Sequence, residues 1–306
     1  VNWSQKMYQL TGDTRYLDVV ELNLYNALNA GMSISGDHFF YPNPLESRKN
    51  TARTEWFSCA CCPPNLVRFF SSLGSFFYAQ KGNELYLNLF AASKTSFNTS
   101  KGKKQIPVAI ELISDYPATG NIKVKVDPAQ PNTFAFKIRI PGWAKGEAIP
   151  LGLYTFVEPQ IRPIVFKVNG KVFTASISGG YATIQRNWKK GDIVEFELPM
   201  DVQKVAAHPL IKADESRYAL KSGPFVYCLE GQDQADDRVL NMLVKKDAKI
   251  SRQYDANLLG GQPTLQFEGQ LITKKISDTD GEFKAMSLKA IPYYALYRAL
   301  GGVRYA

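Results

Sequence analysis

Three of the chain's four cysteines fall within four positions, in Trp56-Phe57-Ser58-Cys59-Ala60-Cys61-Cys62-Pro63-Pro64-Asn65. Thiols at that density suit metal binding or nucleophilic chemistry, because the thiolate is both the better nucleophile and the form that binds zinc. A disulfide framework fits poorly. Adjacent Cys61 and Cys62 bridge only with strain, and Cys228 lies far away on an expected strand. Pro63 and Pro64 suit a first helical turn, whose unpaired amides and dipole favour an anion at the cysteines just before it. The cluster supplies at most three thiolates, so a tetrahedral zinc would need ligands from elsewhere. The plainer alternative is a set of small buried cysteines capping a core helix.

Glu21 is the second signal. It follows Leu17 by four positions and precedes Leu24 by three, on the apolar side of an expected helix. A carboxylate there is costly unless paired or engaged with a polar ligand. It either holds such a ligand, reaches solvent, or pairs with Arg15 or Arg68. His38 and Tyr41 end a hairpin-like stretch before a Pro/Asn-rich loop (42–54), where imidazole and phenol suit sugar recognition. Alternation sets His38 and Phe40 on one face, Phe39 and Tyr41 on the other. Glu46 and Glu55 read as solvated loop carboxylates, His208 carries no role, and Cys228 reads as a buried strand cysteine.

These residues are positioned by a helical part before Gly82 and a β part after it. Gly12 stops one helix and Asp13 caps the next, along which Leu17, Val20, Leu24 and Leu28 recur until Gly31. A third helix starts at Pro63 and carries Leu66, Phe69, Phe70, Leu73, Phe76 and Phe77. Beyond Gly82, short strands at 85–90, 121–126, 134–140, 164–168, 193–198 and 225–228 are divided by turns such as Asn169-Gly170, which predicts an antiparallel sandwich. Residues 232–306 are less regular and suggest a second, smaller β unit. The expected units are therefore 1–82, 83–231 and 232–306. Two and a half helices cannot enclose a core, so the first unit reads as incomplete.

The 306 residues are 45% hydrophobic and 21% charged, a folded composition that excludes wholesale disorder, collagen and coiled coil. No apolar run is long enough to span a membrane, and the first residues carry neither an initiator Met nor a signal core. The net charge of +9 comes from lysines scattered singly, not from a stripe, so nucleic-acid binding is not inferred.

Together, Thr11-Gly12-Asp13 with Tyr16, Glu21 and Tyr25-Asn26, the stretch Phe39-Phe40-Tyr41-Pro42-Asn43-Pro44-Leu45-Glu46, and Cys59-Ala60-Cys61-Cys62-Pro63-Pro64-Asn65 resemble glycoside hydrolase family 127. Phe225–Glu230 and Ala290–Tyr294 resemble its β-domain signatures, so the likeness spans nearly the whole chain. The resemblance implies the last helices of an (α/α)6 barrel followed by β-sandwich domains. It implies a retaining β-L-arabinofuranosidase with Zn2+, in which Cys61 is nucleophile and ligand, Cys62 is a second ligand, and Glu21 and Tyr41 contact sugar hydroxyls. The implied partner is an oligosaccharide or polysaccharide bearing L-arabinofuranose, with no nucleic acid and no membrane, in a periplasmic or secreted setting. The family's acid/base Glu and a Glu-x-Cys-Ala ligand pattern precede the stretch matching Val1, so the chain alone is expected to be inactive and prone to aggregate. The competing readings are a non-catalytic carbohydrate-binding sandwich with vestigial helices and a thiol-redox or zinc-storage protein.

Overall fold

The structure is a computed structural model that describes residues 1–43, 45–46, 52–275 and 281–296. Pro44 of the aromatic motif and residues 47–51 of the loop after it lie outside the described residues, as do 297–306 of the last expected unit. Helix α1 (Asn2–Thr11) ends where Gly12 turns left-handed at φ +73°, its N–H donating to Tyr8 O. Asp13 does not occupy the cap position. It accepts the Arg15 amide at 2.9 Å, and Thr14 precedes helix α2 (Arg15–Asn23). That helix runs on as a π-helical turn over Leu24–Leu28. Helix α3 (Pro63–Ser72) starts directly after Cys62, as the proline pair predicts.

The β part holds three sheets. Five strands run in the order Tyr78–Lys81, Glu84–Leu87, Asn132–Arg139, Tyr181–Trp188 and Ser176–Ser178, with one parallel pair, Glu84–Leu87 on Asn132–Arg139. Six antiparallel strands run Ser93–Lys101, Lys104–Ser114, Asn121–Pro128, Asp192–Glu197, Phe166–Val168 and Lys171–Phe173. Strict alternation turns Ile106, Val108, Ile110 and Leu112 inward, and the last three meet Leu85, Leu87, Phe134 and Phe136 of the five-stranded sheet in one core. Two sheets therefore face a shared core, as in a sandwich, but the first is mixed and not the purely antiparallel sheet expected.

In the third sheet the order is Met242–Leu243, Gln262–Lys275, Gly281–Pro292, Phe225–Leu229, Ala219–Ser222, Val202–Ala207 and Tyr154–Phe156, with Ile250–Asp255 also pairing Gln262–Lys275. The expected division after residue 231 falls inside this sheet, since Cys228 pairs with Ile291. From Val202 onward, just after Glu197 ends a sandwich strand, the strands belong to this sheet, which also takes Tyr154–Phe156 from within the sandwich segment.

The helices do not form a core of their own. Val20, Leu24, Tyr25, Phe69 and Phe76 enter the core shared with both sandwich sheets. The three described helices therefore do not close an (α/α)6 barrel. Trp3, Leu10 and Val67 are exposed on their outer surfaces.

A buried charge cluster joins the three parts. Arg139, fully buried, places Nη1 2.6 Å from Asp18 Oδ1 and Nη2 2.7 Å from Glu21 Oε1, both on α2. Its Nε donates to Asn88 O at 2.7 Å. Tyr116 and Trp143 of the sandwich region donate to the two Glu21 oxygens at 2.7 and 3.0 Å. Gly142 donates its amide to Asp18, and a Cβ there would lie 2.9 Å from Asp18 Oδ2, which explains the glycine. From the third sheet, Lys221 donates to Ala148 O at 2.8 Å and lines a small cavity with Asp18 and Glu21. Asn26 adds a polar clasp, donating to Pro224 O and accepting the Val226 amide.

Burial pushes the Lys221 ammonium down to about 8. The unfolded chain then holds this proton more tightly than the folded one, so stability attributable to Lys221 rises as pH increases from about 8 towards 10.5. Lys221→Met is expected to remove this rise, on the order of 3 kcal/mol across the window, when urea unfolding at pH 7.5 and 10 is compared with the parent. Equal pH slopes for the two proteins would contradict it.

Candidate active site

Gly31 ends the helical run. A Cβ there would lie 2.8 Å from Leu66 Cδ1, so its absence lets the end of the α2 segment pass close to α3. The expected hairpin follows. Met32 bridges Phe39, Ser33 takes the His38 carbonyl at 2.8 Å, and Gly36 turns the chain at φ +80°. Phe39 then pairs on its other side with Thr54, exchanging hydrogen bonds of 2.7 and 3.0 Å. Two edge-to-face ring pairs extend this ribbon, Phe39 with Trp56 at 5.3 Å and Tyr41 with Phe57 at 4.9 Å. Phe39 and Phe40 are both buried while Tyr41 is exposed, so the simple alternation expected of an ideal strand stops at this bridge.

This scaffold sets the Tyr41 hydroxyl 2.5 Å from Cys61 Sγ, which in turn lies 3.6 Å from Cys62 Sγ. Asn65 fixes the turn behind them, its side-chain amide donating to Cys61 O at 3.0 Å and its backbone amide to Cys62 O at 3.0 Å. All three clustered cysteines are exposed, so the alternative of buried helix-capping thiols does not describe them. The Tyr41 hydroxyl, and then Cys62, hold the Cys61 thiol below its ordinary range, because a donor stabilises the thiolate more than the thiol. The same contact raises the phenol of Tyr41. Tyr41→Phe is therefore expected to slow alkylation of Cys61 by iodoacetamide at pH 7 by severalfold. An unchanged or faster rate would show that the hydroxyl does not stabilise the thiolate.

Two thiolates 3.6 Å apart fit two corners of a zinc tetrahedron, whose sulfurs stand about 3.8 Å apart when each Zn–S bond is ~2.3 Å. The donor set agrees in kind but not in number. Among the described residues, no group of three or more His, Cys, Asp or Glu side chains is arranged to hold a metal.

The remaining candidates are placed as follows. Glu21 is only 1% exposed, and both of its oxygens are occupied by Arg139, Tyr116 and Trp143. The structure thus gives it to the joint between α2 and the sandwich, not to the thiol cluster. His38 pairs with Asp37 at 2.8 Å, and Glu46 with Arg217 at 3.2 Å. Glu55 is exposed. His208 accepts the Leu210 amide in a turn, and Cys228 is half-buried on its strand. Asn65, Phe57 and Arg53 had no assigned part in the sequence reading. Asn65 was the most accessible of them, as the polar residue one turn into a proline-led helix.

Comparison with known proteins agrees with this layout. The family model for the beta-L-arabinofuranosidase GH127 catalytic domain matches residues 1–75. The GH127 middle domain matches 84–200, and the glycoside hydrolase family 127 C-terminal domain matches 202–298, so the last boundary falls just before the strand Val202–Ala207. The chain is 27% identical over 335 residues to a non-reducing end beta-L-arabinofuranosidase of Bifidobacterium longum subsp. longum, covering 99% of this chain and 46% of that protein. A solved GH127 beta-arabinofuranosidase superposes with a TM-score of 0.88 at 36% identity, covering 96% of this chain and 45% of the other. A GH127 beta-L-arabinofuranosidase structure from Geobacillus stearothermophilus T6 gives 0.84 at 30% identity, covering 97% and 46%. The chain thus spans about half the length of the relatives it matches. With three consecutive domain models accounting for nearly all of its residues, the chain belongs to glycoside hydrolase family 127.

Proposed function

We propose that this chain carries the nucleophile of a retaining glycosidase that cleaves β-L-arabinofuranosides from oligosaccharides or polysaccharides. The observation that supports this most is the Tyr41–Cys61 contact, an exposed thiol at a helix start whose anion is stabilised by a phenol. The Cys61 thiolate attacks the anomeric carbon and forms a C–S bond as the C–O bond to the leaving group breaks. A carboxylic acid gives its proton to the departing oxygen. Water then attacks the same carbon, the C–S bond breaks, the thiolate is regenerated, and the water's proton passes to the carboxylate. Two inversions give retention. A thiolate here replaces one of the two carboxylates of most retaining glycosidases.

We assign the acid to a carboxyl group other than the hydrogen-bond partners of Cys61 Sγ, which among the described residues are Tyr41 and Cys62. Cys61 and Cys62 would supply two ligands to Zn2+. When bound, the ion keeps the thiols deprotonated at neutral pH. Tyr41, whose hydroxyl contacts Cys61 and which is 40% exposed, would contact a sugar hydroxyl once the anomeric carbon meets Sγ. We assign Glu21 a positioning role through Arg139 in place of the sugar contact that the family resemblance implies. The exposed faces of the helices are then the surfaces on which the rest of an (α/α)6 barrel packs.

The test uses the polypeptide of the whole reading frame. It should hydrolyse an aryl β-L-arabinofuranoside and release the β-anomer first by NMR. Release of the α-anomer would overturn the double displacement. Glycan binding without any hydrolysis would overturn the enzymatic reading in favour of a carbohydrate-binding module.

A further inference from the structure

Arg53 ties the described segments around the thiol cluster to the C-terminal end of the third-sheet region. Its Nε and Nη2 both donate to Ala30 O, at 3.1 and 2.8 Å, where the α2 segment ends. Its Nη1 donates to Leu296 O at 3.1 Å. The guanidinium lies 4.5 Å above the centroid of Phe40. Phe40 packs in a small buried cluster with Ala30, Tyr293 and Leu296. The side chain is half-buried, and a planar fork is the cation best suited to hold two carbonyls and a ring face at once.

The neighbours of these contacts are the site. Phe40 directly precedes Tyr41, and Arg53 directly precedes Thr54, whose pairing with Phe39 starts the stretch leading through Phe57 to Cys61. One side chain therefore fixes both strands that deliver the phenol and the thiol, and it refers them to a carbonyl of the C-terminal domain. We propose that Arg53 is a positioning residue through which the C-terminal domain holds Tyr41 against Cys61. Hydrogen bonds aligned to this degree are lost when the supporting contacts are released, even though the contacting pair itself is unaltered. The proposal deepens the glycosidase reading but depends on it only for the catalytic consequence. The contact itself is testable without turnover.

The experiment is a double-mutant cycle on Cys61 alkylation at pH 7, with Arg53→Met, Tyr41→Phe and the double variant of the whole protein. Arg53→Met is expected to slow alkylation by about as much as Tyr41→Phe, severalfold, and the double variant to be no slower than either. A purely structural role would leave the Tyr41→Phe effect intact on the Arg53→Met background. Parent-like alkylation of Arg53→Met, or full additivity, would overturn the proposal. If Arg53→Met shows no cooperative melting transition, Arg53→Gln, which keeps an amide donor at the ε position but lacks the fork, is read by the same criteria. In the whole protein, Arg53→Met should lower kcat at least tenfold with KM little changed, and Arg53→Lys should recover part of it. Unchanged kcat alongside slowed alkylation would confine the role to the contact and count against the catalytic consequence. Absence of activity in the parent would count against the glycosidase reading, leaving the alkylation result to stand for the positioning role.

Discussion

Cys61→Ala in the whole protein is expected to lower kcat on an aryl β-L-arabinofuranoside by on the order of 10⁴–10⁶-fold, the loss seen when a covalent nucleophile is deleted. No neighbouring group can replace it in place. The Tyr41 hydroxyl, at 2.5 Å from the sulfur, is held neutral by the same contact that favours the thiolate, and Cys62 stands 3.6 Å further along. Folding should be untouched, because Cys61 is exposed and contributes little packing. Cys61→Ala should therefore melt as the parent does and still bind substrate, which separates a chemical loss from a structural one. Cys62→Ala should instead act mainly through loss of bound zinc, measured by elemental analysis. A Cys61→Ala enzyme retaining more than about a tenth of parental kcat has no nucleophilic role for that sulfur.

The largest effect on folding is expected at Arg139. Replacing it with Met leaves Asp18 and Glu21 buried without their cation, a change that costs about 3–5 kcal/mol when one partner of a buried ion pair is removed. The Nη2–Glu21 contact at 2.7 Å is an electrostatic approach and not an aligned hydrogen bond, so the loss is chiefly that of charge compensation. Burial already raises the Asp18 carboxyl, with Arg139 opposing it. Without the guanidinium the carboxyl rises further, so the folded variant binds protons more tightly than the unfolded chain. Its stability is then greatest at low pH and falls as pH rises through the raised folded value. Urea unfolding of Arg139→Met should accordingly show a smaller deficit at pH 5 than at pH 8. A deficit below about 1 kcal/mol at pH 8 would mean that the cluster relaxes or hydrates without its cation.

The same cluster shows why part of the site was legible in the sequence and part was not. Proline pairs, glycine stops and cysteine density are local signals, and they correctly set the end of α1 at Gly12, the start of α3 at Pro63 and the exposed thiols before it. The burial of Glu21 was equally legible from its helical phase. Its partners were not, because Arg139, Tyr116 and Trp143 lie about a hundred residues away, on and around the sandwich, and no local spacing points to them. Arg53 was hidden for the same reason, since it acts through backbone carbonyls at Ala30 and Leu296. The strands Gln262–Lys275 and Gly281–Pro292 carry the sheet across the expected division at 231, through pairings with each other and with Phe225–Leu229 that no local spacing points to.

The most direct measurement is mass spectrometry of the whole protein quenched during turnover of a slow aryl β-L-arabinofuranoside, followed by peptide mapping. One pentosyl group is expected on the peptide spanning Trp56–Asn65, localised to Cys61 by fragmentation and lost on further incubation. A pentosyl group on any other residue, or steady hydrolysis by a protein in which Cys61 is quantitatively alkylated, would contradict it.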